Sequence, residues 1–314
     1  IFVAQIGENA LTAVSLAYPV QTLMIAFGVG TGVGLNSLIS RRLGEKRIDD
    51  ATDAANHGAI LGVATWILFA LLGIFFTETF FRFYTSDPTI FQMGCDYTYV
   101  VTIFSIGVFV EINNERTLQA TGNMIYPMIS QLLGAITNII FDPIFIFGLF
   151  GFPRMEVAGA AIATVMGQIF AMFFLFFILA FREKVLQIRL RGFSFSLTTV
   201  REIYSVGFPS ILMQSIGSLM TVGMNAILIR FTETAVAFFG VYFKLQSFVF
   251  IPVFGLNQGV MPVVGYNYGA KKRSRVTGAL RVGVIIAAAI MAAGMLVFWT
   301  LPETLLSVFE ASQT

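Results

Sequence analysis

Residues 9–47 read NALTAVSLAYPVQTLMIAFGVGTGVGLNSLISRRLGEKR. The stretch 9–40 carries no charge, and Arg41, Arg42, Lys46 and Arg47 close it. An α-helix rises 1.5 Å per residue, so about 20 apolar residues cross ~30 Å of hydrocarbon. The run is long enough to span a bilayer, and its basic flank belongs at a membrane surface. Further charge-free runs occupy 54–77, 117–141, 157–181, 203–229, 245–270 and 282–302, with a shorter one, 97–110, bounded by Asp96 and Glu111. Over all 314 residues, 57% are apolar and 11% charged. Mean hydropathy is +0.83. A soluble domain has about 45–50% apolar and about 25% charged residues. A soluble enzyme, a disordered chain and a disulfide scaffold are excluded. Barrel strands need short alternating segments, and the sequence has none. The expectation is an all-α polytopic membrane protein with helices near 13–39, 53–77, 90–112, 124–149, 157–181, 203–229, 237–265 and 276–300.

Basic residues sort by side. Fifteen of the nineteen lie in alternate connections, starting with Arg41, Arg42, Lys46 and Arg47, then Arg116. The set continues with Arg182, Lys184, Arg189, Arg191 and Arg201, and ends with Lys271, Lys272, Arg273, Arg275 and Arg281. The other side has Arg82, Arg154 and Arg230, and Lys244 lies inside a span. The positive-inside rule makes the first side cytoplasmic, including loops 41–52 and 266–275 and the linker 182–202. Arg41, Arg42, Lys271 and Lys272 are expected to meet anionic headgroups. His57 is expected at the interface. The N-terminus has no basic n-region and reads as no signal peptide.

Shifting the chain on itself by 225 residues aligns its first 85 positions without a gap. Glu8 meets Glu233, Gln21 meets Gln246, and Lys46 meets Lys271. Gly30, Gly34, Gly44 and Gly58 meet Gly255, Gly259, Gly269 and Gly283. An even helix offset makes this a parallel repeat, a pattern of secondary transporters. It divides the chain into a first bundle, 1–181, the linker 182–202, and a second bundle, 203–314. Completing both copies would give twelve helices, six in each half. Residues 1–5 are then expected to be the tail of a first helix, and the second copy is expected to continue past Thr314.

Asp142 is the carboxylate expected deep within a span, about 8 residues or ~12 Å below a helix end. Such a residue is costly in lipid and marks ion or proton pathways. Asn138 shares its face one turn earlier. Pro143 cannot donate to the Ile139 carbonyl and leaves that oxygen free. These hard oxygen donors suit a proton or a sodium ion rather than a soft metal. One histidine and one cysteine make a thiolate or imidazole metal centre untenable. In the second half, Lys244, Gln246 and Asn257 form a candidate transport-associated polar cluster, with Gln258 on the same helix. Gly28/Gly32 and Gly30/Gly34 are spaced for close helix packing. No Walker loop appears, so ATP does not drive the protein directly.

The stretches GENALTAVSLAYPV (7–20), LISRRLGEKRIDDA (38–51), ERTLQATGNMIYPM (115–128) and TNIIFDPIFIFGLFGFP (137–153) resemble the multidrug and toxic compound extrusion (MATE) transporters. So do VAGAAIATVMGQ (157–168), VGFPSIL (206–212) and residues 239–275. The bacterial DNA-damage-inducible-efflux-like branch is the nearest in pattern. The resemblance implies a V-shaped pair of six-helix bundles that expels organic, often cationic, compounds against protons or sodium ions. It implies that Asn138, Asp142 and Thr164 belong to the first bundle's cation site. A further aspartate of that site would lie before Ile1. It also implies a monomer in the plasma (inner) membrane of a bacterium, with drugs as substrates, no cofactor beyond the coupling ion, and no nucleic-acid partner. Two alternatives are a lipid-linked saccharide flippase of the same plan and a non-transport polytopic receptor. The flippase needs several basic residues in its spans, and the sequence places only Lys244 there. An enzyme would need clustered catalytic residues that are missing.

Overall fold

The computed structural model describes residues 2–186, 193–228 and 233–301, and among these there is no β-strand. Among the described residues, a 3-10 turn at Val3–Gln5 leads into nine α-helices. They are α1 (Glu8–Gly44), α2 (Ile48–Tyr84), α3 (Pro88–Ile103), α4 (Ile106–Ala120), α5 (Ile125–Phe147), α6 (Glu156–Phe181), α7 (Leu197–Leu228), α8 (Glu233–Gly269) and α9 (Arg273–Thr300). α1, α2, α5, α6, Leu245–Gly269 of α8, and α9 are each long and apolar enough to cross a membrane. α3 and α4 meet that test together, as a pair bent by 42° at the break between them. α7 has 32 residues, long enough to cross. The eight expected spans are recovered as helices, most of them longer than the apolar runs that announced them.

The parallel repeat is written in the backbone. α8 and α9 start 225 residues after α1 and α2. The turn after α1 puts Lys46 at φ 63°, and the turn after α8 puts Lys271 at φ 55°. Arg47 N–H donates to the Arg42 carbonyl at 2.9 Å, as Lys272 N–H does to Asn267. Residues preceding the next helix match too: Arg47 has φ −94° and ψ 71°, Lys272 φ −95° and ψ 73°. A lysine in the left-handed region costs energy that glycine would not. Both halves share that feature at one place. The connections themselves are three residues each, 45–47 and 270–272, so much of the expected loops 41–52 and 266–275 is helix.

α1 is the hub and packs against α2, α3, α4, α7 and α8. In lipid there is no water to drive helices together, so close van der Waals packing must do it, and small residues permit it. The glycines of α1 serve two faces. Gly28 and Gly32 lie against Ile112, Phe109 and Arg116 of α4, whereas Gly30 and Gly34 lie against Ile203, Gly207 and Ile211 of α7. At the basic end the two copies meet reciprocally: a Cβ on Gly44 would strike the Tyr266 carbonyl, and one on Gly269 would strike that of Arg41. Tyr266 is the repeat partner of Arg41, so the two halves pack here through the same surface.

The apolar core is divided. One cluster, with Leu35, Ile39, Ala54, Leu186 and Ile203, fills the basic end. A second, with Ala17, Phe81, Tyr97, Ile146 and Ala161, fills the opposite end. Between them lies α4, in which every residue from Glu111 to Ala120 is buried. This corrects the expected span 90–112. Glu111 does not end a helix at the headgroups; the chain bends after Ile103 and continues as helix to Ala120. Ser105, wholly buried at the bend, spends its hydroxyl on the Thr102 carbonyl at 2.7 Å. Side chains that insert into the backbone ladder in this way are a recognised cause of helix bending.

Two cytoplasmic-edge expectations also change. Arg42 does not reach headgroups: it is buried, paired with Glu202 of α7 at 3.2 Å, and donates to the Asp50 carbonyl at 2.7 Å. His57 is fully buried rather than interfacial. Its Nε2 accepts from the Ser196 N–H at 2.8 Å, and its Nδ1 lies 2.8 Å from the Asp53 carbonyl. The ring is also flanked by Phe193 and Phe195. The linker's return, 193–196, is thus pinned on α2, and α7 begins at Leu197 instead of 203. His57→Ala strips an acceptor from the half-buried Ser196 N–H and leaves a void where a fully buried ring stood. It is expected to cost about 2–4 kcal/mol, read as a lower melting temperature and faster proteolysis of the linker.

Candidate functional site

α5 runs unbroken through Pro143. Proline is tolerated in spans because neighbours re-satisfy the freed carbonyl. On the face just before it, the structure brings together the three residues expected to form a site. Asn138 Nδ2 lies 3.3 Å from Asp142 Oδ1 and 3.2 Å from Thr164 Oγ1 on α6. The Thr164 hydroxyl donates in turn to the Ala160 carbonyl at 2.9 Å. Asp142 is half-buried, so its carboxylate is neither sealed in the core nor bathed in solvent. The α5–α6 packing that fixes this geometry is close: a Cβ on Gly167 would come 2.7 Å from the Gly134 carbonyl oxygen.

Asn138 and Thr164 also line a chamber of about 260 Å³ between α4, α5 and α6. Ser130, Gln131 and Gln168 add polar walls, and Glu111 stands among them. Continuing from Glu111 along α4, a hydrogen-bonded series crosses to the second half. Ser130 Oγ lies 3.3 Å from Glu111 Oε1. Glu115 accepts from Gln131 at 3.0 Å and from Gln119 at 2.7 Å. Arg116 Nη1 donates to Gln119 Oε1 at 2.9 Å and to Gln258 Oε1 of α8 at 2.7 Å.

The sequence reading missed this α4 series. It took Asp142 to be the one carboxylate deep in a span and Lys244 the one base. Glu111, Glu115 and Arg116 are all buried as well. The signal was present: Glu111, Glu115 and Gln119 recur every fourth residue, which places them on one helical face. No glycine or proline stands between Gly107 and Gly122 to end a helix.

The second-half cluster fares differently. The side chain of Lys244 lies outside the described residues. Gln246 is half-buried and Asn257 exposed on α8. Eleven residues separate them, about 16 Å along a helix axis, so they do not meet at one point. From this helix it is Gln258 that joins the α4 series, at Arg116 and Gln119.

Among the described residues, no group of three His, Cys, Asp or Glu side chains could hold a metal ion. The arrangement is suited to one small hard cation or a proton at a single carboxylate, with amide and hydroxyl oxygens beside it.

The MatE family model matches residues 1–144 and 209–314. The FAD transporter of Shewanella oneidensis is 31% identical over 287 residues, covering 89% of this chain and 62% of that protein. Multidrug export protein MepA of Staphylococcus haemolyticus is 27% identical over 97% of this chain and 66% of its own length. A solved outward-facing multidrug resistance MATE family transporter of the MOP superfamily superposes with a TM-score of 0.93 at 26% identity, over 98% of this chain and 68% of that one. The chain thus spans about two thirds of the length of the relatives it matches.

Proposed function

The chain belongs to the MatE family, and on that premise we propose that it works as a secondary exporter of organic compounds, exchanging them for protons or sodium ions. Its membrane would be a bacterial plasma membrane, with the basic end on the cytoplasmic side. The observation that carries the reading is the Asn138–Asp142–Thr164 constellation beside Pro143. A carboxylate in a membrane span is costly, about 2.5–3.5 kcal/mol at a helix centre on insertion scales, and such residues mark ion and proton pathways.

The chemistry follows from the hydrogen bonds. With Asp142 ionised, Asn138 donates to it and to Thr164. When Asp142 takes up a proton or a sodium ion, that oxygen is no longer a free acceptor and the Asn138 amide must choose again. The adjustment falls on the turn where Pro143 has already removed one backbone bond, so α5 is softest where the cation acts. A cation that binds one shape of this turn better than the other shifts the population of shapes, by no more than the difference in affinity. Export follows if the shape that holds the cation holds substrate less well.

The relatives differ in what their names say they carry: FAD in one, drugs in the others. The test therefore uses both probe classes. Everted vesicles containing the intact transporter receive ethidium or FAD, with a proton gradient and a sodium gradient imposed separately. Accumulation driven by one gradient, and collapsed when that gradient is dissipated, is the expected result. Accumulation of neither compound under either gradient would contradict the reading.

A further inference from the structure

Glu111 carries the strongest observation left over from the Asp142 site. Its residue is 7% exposed, yet it stands on the wall of the chamber that Asn138 and Thr164 also line. Among the described residues the hydroxyl of Ser130 is its one hydrogen-bond donor, at Oε1, and that hydroxyl also lies 3.4 Å from the Ala171 carbonyl. The neighbouring charges are otherwise engaged. Glu115 holds one amide on each oxygen, and Arg116 is turned toward Gln119 and Gln258. The other helices packed on α4 bring neutral groups to it: Asn36 from α1, the Gly58 carbonyl from α2, Ser130 and Gln131 from α5, Gln168 from α6 and Gln258 from α8. Among the described residues that line the chamber, Glu111 is the one that titrates.

Two carboxylates and one guanidinium on the buried face of α4 leave one negative charge without a protein counter-charge. An uncompensated buried charge is expensive, the more so within a membrane. Any compensating ion must fit a chamber of about 260 Å³. It must also be content with a carboxylate, a hydroxyl and amide oxygens, which describes a proton or a sodium ion.

We propose that Glu111 is a second cation-exchanging carboxylate, joined to the Asn138–Asp142–Thr164 site through the shared chamber. The route is geometric: Asn138 touches both Asp142 and the chamber, and Glu111 closes the chamber on its α4 side. A cation leaving Asp142 therefore meets a second carboxylate before it reaches the hydrogen bonds that tie α4 to α8. The inference rests on the Asp142 reading, and the test keeps the two apart.

Infrared difference spectra of the intact transporter in lipid bilayers read each buried carboxyl through its C=O stretch. One series steps the pH at constant sodium; the other steps sodium at constant pH. Two responding carboxyl bands are expected in the wild type, one removed by Asp142→Asn and the other by Glu111→Gln. Glutamine still accepts from Ser130, so the fold has little reason to change. Ser130→Ala, which deletes the one hydroxyl donor, should displace the Glu111 band without abolishing it, and serves even if Glu111→Gln does not fold. A response to the pH step alone identifies the proton; a response to the sodium step identifies the sodium ion. Spectra that neither Glu111→Gln nor Ser130→Ala alters overturn the proposal. Spectra that Asp142→Asn alone leaves unaltered overturn the Asp142 reading and not this one.

Discussion

Asp142→Asn in the intact transporter is expected to lower gradient-driven efflux of the transported compound by about 100-fold or more, equivalent to about 2.7 kcal/mol. The substitution is nearly isosteric. Its amide oxygen can accept from Asn138 as the carboxylate does at 3.3 Å, and the contact between Asn138 and Thr164 is untouched. What disappears is the ability to hold a cation at one moment and surrender it at another. Removing a charge from a span should also make the helix easier to insert, so expression and melting temperature are expected to hold or rise. Efflux lost while the folded protein persists separates a coupling role from a merely structural one. The rate of ethidium or FAD efflux from loaded vesicles measures the first, and a melting curve in detergent measures the second. Asn138→Ala should show a smaller loss, because the carboxylate would remain while its orientation would not.

The second large effect is expected at Gly34. A single added methyl there would drive into the backbone of α7, at the Ile203 carbonyl and within 3.0 Å of Gly207 N. Backbone cannot swing aside as a side-chain end can, so α1 and α7 must separate along their length. Gly34→Ala is therefore expected to destabilise by about 2–3 kcal/mol, despite alanine's better helix propensity of about 1 kcal/mol. Gly134→Ala is the control. There the nearest atom, the Gly167 carbonyl oxygen, lies 3.5 Å from the added carbon, an ordinary contact. That variant should melt with the wild type or slightly above it. Thermal unfolding of both in the same detergent decides the matter. Equal melting temperatures would mean that the α1–α7 contact does not hold the two halves together.

The periodic features of the fold were readable because each is local. Apolar runs report their own spans, and a 225-residue shift compares a turn with its copy, down to a left-handed lysine in each. The pairing of Asn138 with Asp142 was legible because four residues make one helical turn. Their contact with Thr164 came from the resemblance, since nothing in the spacing of α5 says which helix lies beside it. The residues that escaped all depend on tertiary surroundings. Glu111, Glu115 and Arg116 end an apolar run, and a run of that kind cannot distinguish a headgroup from a buried polar layer. Arg42 and His57 look like surface residues until α7 and the linker close over them. α1 outruns its expected end at 39 for the same reason: Arg41 and Arg42 stay helical with Glu202 of α7 beside them.

Coupling is the claim on which the rest depends, and cation flow driven by the compound's own gradient tests it most directly. Proteoliposomes carrying the intact transporter are loaded with the exported compound, with no cation gradient imposed. Outward flow of the compound should draw protons or sodium ions inward against their own rising gradient in the wild type. In Asp142→Asn that inward flow should vanish. Cation uptake by Asp142→Asn equal to the wild type, at the same outward flux of compound, would contradict the account.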